Sequence, residues 1–211
     1  ALQHAFNQLQ PDDKFDPEAN PTASLNQSSY HCTFLDTNQH YKRQVQHLIQ
    51  QHFYKRMNTV VNDYSILTAN FYVKPPGKGT FQIHQNWPTL EEEKDTSLTL
   101  WCPLHDTDIN NGTLHVVPGS HKMVPDIANP LLPAFFSTFE NELIKRYLRP
   151  IPLKKGECLI FCDSLIHWSP QNNSDKARIA IQIETIPANK QAVLYYYNAD
   201  EKVNEFTKCG C

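Results

Sequence analysis

The spacing of the apolar residues changes near Asp63, and that change restricts the fold more than any other property of the chain. Before it, Tyr41, Val45, Leu48, Ile49 and Phe53 recur at steps of three and four, with Lys42, Arg43, Gln46, Gln50 and Gln51 between them. This spacing predicts an amphipathic helix over 38–57, lying on the outside of a sheet. After it the period is two. Residues 64–73 are rich in β-formers and stop at Pro75-Pro76-Gly77. Further short strands are predicted at 80–86, 97–104, 113–117, 150–153, 159–161, 178–186 and 192–197. Asn110-Asn111-Gly112 is the strongest turn signal, because Asn and Gly both tolerate positive φ. Many short strands with such punctuation argue for a sandwich or barrel rather than a helix-wrapped parallel sheet.

One segment departs from this pattern. After Pro130 and Pro133, the residues Phe135, Phe139, Leu143 and Tyr147 recur at four-residue steps, which predicts a helical insertion within 125–149. Residues 1–62 read as an irregular arm around a short opening helix, with Pro11, Pro17 and Pro21, followed by the amphipathic helix. Residues 63–197 form the β core and 198–211 a tail. A chain of 211 residues buries about 70 % of its unfolded surface as one domain, so a single domain over 1–211 is expected without a metal or disulfide staple.

The formal net charge is −3, and the 19 Lys and Arg form no long run. No nucleic-acid or membrane partner is therefore proposed by charge, and a small-molecule substrate is the simpler expectation. Six cysteines, at 32, 102, 158, 162, 209 and 211, are too few and too irregular for a disulfide framework. They read as reduced thiols in a cytoplasmic setting. Cys158 and Cys162 share one face of an apolar strand as small core residues, and Cys209-Gly210-Cys211 reads as a frayed end.

Two stretches carry the chemistry. Phe81-Gln82-Ile83-His84-Gln85-Asn86-Trp87, read as a strand, places His84 and Asn86 on one side and Phe81 and Ile83 on the other. The run from Leu159 to Ser169 is apolar and contains His167, and Arg178 follows eleven residues later at the head of an alternating segment. On that segment Ala180, Gln182 and Glu184 form a more polar face than Ile179, Ile181 and Ile183. The ensemble is two imidazoles, one short oxygen donor and a guanidinium. It has the layout of the facial triad of non-haem Fe(II) oxygenases, in which two His and one carboxylate leave open positions for co-substrate and oxygen.

His84-Gln85-Asn86-Trp87-Pro88, Leu100-Trp101-Cys102-Pro103-Leu104, the block from Asn111 to Lys122 containing Pro118-Gly119-Ser120-His121-Lys122, and His167, Ser169, Asn172 and Arg178 stand in an order and spacing that resembles the phytanoyl-CoA dioxygenase family. The resemblance spans residues 64–187. It implies a double-stranded β-helix, a cupin-like jelly roll, with helices backing one sheet. It also implies Fe(II) held by His84, Asn86 and His167, and 2-oxoglutarate held by Arg178 and Ser169, with Trp101 lining the pocket. The activity it implies is hydroxylation of an aliphatic C–H with O₂, with ascorbate as reductant.

Position 86 departs from the family, whose first block reads His-Gln-Asp-Trp. A carboxamide keeps the shape and one oxygen donor but removes a full negative charge beside a dication. Three explanations stand open: a substitution introduced to trap an inactive complex, a natural residue of a weaker or different enzyme, or a jelly roll that has lost catalysis and kept a binding pocket. A halogenase is disfavoured, because Asn fills the volume of Asp and vacates no position for chloride. Glu91, Glu92, Glu93 and Asp95 read as a solvated acidic loop near the site mouth. His31, His40, His47, His52, His105 and His121 read as surface or hydrogen-bonded residues.

Overall fold

The computed structural model describes residues 2, 4, 6, 30–36, 38–90, 95–123, 134–197 and 206–210. The predicted helix is Gln39–Val60 (α1). The Asn38 side chain accepts from the Tyr41 backbone N–H at 3.1 Å, which satisfies one orphan donor of the first turn. The buried stripe is Tyr41, Val45, Ile49 and Met57, as the three- and four-residue steps require.

Among the described residues eleven strands follow in chain order: His31–Cys32 (β1), Tyr64–Lys74 (β2), Phe81–His84 (β3), Leu98–Pro103 (β4), Leu114–Val116 (β5), Arg149–Ile151 (β6), Leu159–Cys162 (β7), His167–Ser169 (β8), Arg178–Pro187 (β9), Val193–Tyr197 (β10) and Phe206–Gly210 (β11). They form a five-stranded sheet in the order β1-β2-β9-β4-β7, a four-stranded sheet in the order β3-β8-β5-β6, and the pair β10-β11. Every pairing is antiparallel. This is the expected jelly roll of two facing sheets with a helix outside one of them.

Strand parity divides the molecule into layers. On β9 the residues Ile179, Ile181 and Ile183 point outward and pack with Val45, Ile49 and Met57 of α1 and with Phe71 and Val73 of β2. The alternate residues point inward, where Ala180 packs with Trp101, Leu114 and Phe161 between the sheets. Ile83, Phe136, Leu148 and Ile166 form a third cluster. Fully burying an aliphatic side chain contributes roughly 1.5–3 kcal/mol. The outer isoleucines thus stabilise the sheet while leaving the inner face of β9 free for polar residues.

The insertion differs from its expectation. Residues 124–133 lie outside the described residues, and 137–147 form consecutive short turns: 3₁₀ at Ser137–Phe139, α at Glu140–Glu142 and π at Leu143–Tyr147. Phe135, Phe139 and Tyr147 of the predicted stripe are exposed, whereas Phe136 and Leu148 are buried. A helix this short has no fixed four-residue face to present, so the contact with the roll chooses the buried side. The end of the chain also differs: Cys209 and Gly210 lie in β11, paired with β10. Cys158 precedes β7 and is exposed, with its sulfur 2.6 Å from the buried Cys102 sulfur, so it is not a core residue. Cys32, Cys102, Cys158 and Cys162 are free thiols. Among the described residues no helix is long and apolar enough to cross a membrane.

Candidate functional site

Between the two sheets a cavity is lined by Tyr72, Lys74, Trp101, Phe161, Arg178 and Gln182 from one side and by Phe81, His84, Leu114, His167 and Ser169 from the other. His84 ends β3 and pairs with His167 at the start of β8, which brings their ring centroids to 4.1 Å. Each ring commits its Nδ1 to a backbone carbonyl: His84 to Gln82 at 2.7 Å and His167 to Leu165 at 2.8 Å. A carbonyl accepts only, so Nδ1 carries the proton and Nε2 keeps its lone pair. Burial pulls the His167 imidazolium down to about 4, and burial together with His167 pulls His84 well below the ordinary range. Both rings are neutral near pH 7, the state that binds a metal cation.

The guanidinium comes from the first residue of β9. Arg178 is 3 % exposed. Its Nη2 donates to Ser169 Oγ at 3.3 Å, its Cζ lies 5.4 Å from the Trp101 ring centre, and Nε and Nη1 have no hydrogen-bond partner among the described residues. Two buried unpartnered N–H groups cost several kcal/mol unless an anion takes them. Burial lowers Arg178 to about 9.

A second cation lies beside it. Lys74 ends β2, and its Nζ reaches Ser169 O at 2.8 Å, Ser169 Oγ at 2.5 Å and Pro170 O at 2.6 Å. Ser169 Oγ donates its own hydrogen to Gly112 O at 2.9 Å, so an ammonium at Lys74 serves all three oxygens at once and a neutral amine donates to two of them. Burial and the Arg178 charge pull against that form, lowering Lys74 to about 5. An anion bound beside the two groups would favour the ammonium.

The loop joining β8 to β9 is fixed by Asn172, which is fully buried. Its amide donates to the carbonyls of Lys74, Pro75 and Lys176, and its oxygen accepts from the Ser174 backbone and hydroxyl. The ten residues between His167 and Arg178 are held to the end of β2 by this side chain together with Lys74.

Asn86 lies outside the cavity wall. β3 ends at His84 and its pairing with β8 shifts register between Phe81 and His84, so simple alternation does not extend to residue 86. The same irregularity turns Phe81 into the cavity beside His84, with centroids 4.5 Å apart, instead of leaving it with Ile83 on the opposite face. The Asn86 amide donates to Thr99 Oγ1 at 2.8 Å and to Asp163 Oδ1 at 3.3 Å. Burial raises the Asp163 carboxyl, opposed by hydrogen bonds from Ser97, Thr99 and Asn86. Deeper in the same layer, burial and Asp163 push Glu184 up to about 7, where it accepts from Thr68 and Gln182 at 3.0 Å each. Asp95 pairs with Lys190 at 2.7 Å, and Glu91, Glu92 and Glu93 lie outside the described residues. Among the described residues no group of three or more His, Cys, Asp and Glu converges on one point.

Of the residues expected at the site, His84, His167, Arg178, Ser169 and Trp101 line one cavity, and Asn86 lies beside it. Lys74 and Asp163 were not foreseen. The signal for Lys74 was its parity with Thr68, Asn70 and Tyr72 on the polar face of β2, which ending the strand at 73 concealed. The two lone pairs fit a divalent cation, and the unpartnered guanidinium nitrogens fit a carboxylate of a bidentate ligand.

A jelly roll with two neutral imidazoles and a buried guanidinium facing each other between its sheets is the build of non-haem, 2-oxoglutarate-dependent oxygenases. Solved structures of that class share the fold. They include the non-heme alpha ketoglutarate dependent epimerase SnoN from nogalamycin biosynthesis, with TM-score 0.55 and 16 % identity over 78 % of this chain and 63 % of that one. EvdO2 from Micromonospora carbonacea var. aurantiaca, complexed with 2-oxoglutarate, has TM-score 0.55 and 17 % identity over 75 % and 66 %. The chain belongs to the phytanoyl-CoA dioxygenase family, whose model matches residues 3–180. Phytanoyl-CoA dioxygenase 1 of Oryza sativa subsp. japonica is 27 % identical over 58 % of this chain and 44 % of its own length. The phytanoyl-CoA dioxygenase domain-containing protein 1 homolog of Dictyostelium discoideum is 25 % identical over 54 % and 43 %. The chain thus spans less than half the length of these relatives.

Proposed function

We propose that this chain is an Fe(II)- and 2-oxoglutarate-dependent dioxygenase that hydroxylates an aliphatic C–H of a small molecule. The observation that carries the reading is a pair of imidazoles with free Nε2 lone pairs lining the same cavity as a buried arginine with two unpartnered nitrogens. His84 and His167 would hold the iron, with Asn86 as a third, neutral donor. When bound, iron and 2-oxoglutarate supply the activation of O₂, which side chains alone do not perform.

The chain's own residues do the remaining work. Arg178 offers a planar fork to the distal carboxylate, and Ser169 Oγ, which accepts from both Arg178 and Lys74, holds the two cations beside each other. Trp101 stacks against the guanidinium and fixes its plane. Phe81, Leu114 and Phe161 keep water from the imidazoles, and the carbonyls of Gln82 and Leu165 hold their Nδ1 protons.

The test is succinate formation from 2-oxoglutarate with added Fe(II) and ascorbate, for this chain and for Arg178→Leu. Turnover in the first and none in the second supports the reading. The carboxamide at 86 favours a second one, a catalytically silent jelly roll that binds ligands in the same cavity. Metal-dependent 2-oxoglutarate binding without succinate from any variant would establish that alternative, and absence of binding would overturn both.

A further inference from the structure

Asn86 and Asp163 form a closed polar unit at the rim of the cavity. Asp163 is 2 % exposed, Asn86 9 % and Thr99 0 %. Thr99 Oγ1 donates to Asp163 Oδ1 at 2.8 Å, the Asn86 amide donates to both, and the Asn86 backbone N–H donates to Asp163 O at 3.0 Å. Gln85 Nε2 donates to Ser164 O at 2.8 Å. The two residues after His84 are therefore fastened to the turn that leads into His167. An amide whose hydrogens are taken by Thr99 and Asp163 leaves its oxygen as the atom not engaged by that pair. An aspartate at 86 would have no hydrogen to give and would face the Asp163 carboxylate at hydrogen-bond distance, an arrangement two ionised carboxylates do not share.

We propose that Asp163 is the positioning residue that carries the site's negative charge, acting through Asn86, so that the chain has moved the carboxylate of its metal centre from residue 86 to residue 163. The inference rests on the cavity being a metal site. Asp163 orients the carboxamide with its oxygen away from the Asp163–Thr99 pair and polarises it. An aspartate at 86 with a carboxamide at 163 would keep a hydrogen bond of the same kind between the two side chains. Restoring the family's aspartate therefore requires the reciprocal change at 163.

The experiment uses four proteins, the chain as it stands, N86D, D163N and N86D/D163N, with Ni(II) as a redox-inert probe in calorimetric titrations at pH 7.5 and thermal unfolding without metal. D163N should weaken Ni(II) binding by at least about tenfold, the scale for loss of a group that supports a metal ligand. The double variant should recover the starting affinity or exceed it. Without metal, N86D should lower the unfolding midpoint by at least about 4 °C, and the double variant should return to within about 2 °C of the parent. D163N binding Ni(II) like the parent, or N86D unfolding at the same temperature as the double variant, would overturn the proposal. If D163N does not fold, the comparison of N86D with the double variant decides alone. H84A separates the two levels. Unchanged Ni(II) affinity in H84A refutes the metal site itself, whereas lost affinity in H84A with additive effects at 86 and 163 refutes only the exchange.

Discussion

Gly112→Ala is the substitution whose cost the structure specifies most closely. Gly112 has φ +74°, and a Cβ there would lie 2.5 Å from Pro170 O and 3.2 Å from Gln171 O. The left-handed backbone alone costs an alanine about 1–2 kcal/mol. A contact of 2.5 Å to a backbone oxygen forces the β8–β9 loop to move, and overpacking of this kind costs about 1–3 kcal/mol more. Gly119 supplies the control, since at φ +83° its Cβ would meet nothing within 4 Å. G119A should therefore lose only the backbone contribution. For a chain of this size each kcal/mol is roughly 2–4 °C in midpoint, so G112A should unfold about 2–12 °C below G119A in a thermal melt followed by circular dichroism. The loop that moves directly follows Ser169, whose hydroxyl donates to Gly112 O and accepts from Lys74 and Arg178. G112A should therefore also weaken 2-oxoglutarate binding, which G119A leaves intact. Equal midpoints for the two variants would refute the close approach of Gly112 to Pro170.

Three further outcomes are expected. Arg178→Leu removes two charge-assisted bonds of about 1.5–3 kcal/mol each, which predicts a loss of roughly 10²–10⁴-fold in 2-oxoglutarate affinity by calorimetry; a loss under about tenfold would place the carboxylate elsewhere. Asn172→Ala removes the amide shared by the carbonyls of Lys74, Pro75 and Lys176, of which Pro75 O keeps the Lys78 N–H and Lys176 O keeps the Ser174 hydroxyl, so urea unfolding should show a loss of about 1–3 kcal/mol, and a change within experimental error would show that water replaces the amide. Lys74 is lowered to about 5 from 10.5, so between those values the unfolded chain binds the extra proton and stability rises with pH; relative to K74M, the parent should lose up to about 1.4 kcal/mol per pH unit between pH 8 and 6, and parallel profiles would mean that Lys74 stays charged in the fold.

The architecture was legible because both periods were strong. The three- and four-residue steps of α1 and the alternation on β9 place Val45, Ile49, Ile181 and Ile183, all fully buried, in one layer with no tertiary information. Elements set by contact rather than by pattern were not legible. β1 is two residues long, held beside Val73 and Tyr72, and β8 is three, too short to show any alternation. The insertion shows the converse failure: Phe135, Phe139 and Tyr147 keep a helical step, but three consecutive turns of different pitch do not keep a helical face.

At the site, the separation of residues that meet in space was readable from spacing, whereas the direction of a side chain was readable only while its strand lasted. His167 and Arg178 sit at the starts of β8 and β9, and the eleven-residue step between them spans β8 and the loop that Asn172 pins to the end of β2. His84 still belongs to β3, so its ring meets His167. Two residues on, the strand has ended, and Asn86 obeys the donors and acceptors around it instead of the pleat. Asp163 sits one residue past Cys162, where β7 also ends. Both members of the carboxamide–carboxylate unit therefore lie where periodicity has stopped carrying information. A departure from a family's motif at such a position is read correctly only together with the buried group that its side chain faces.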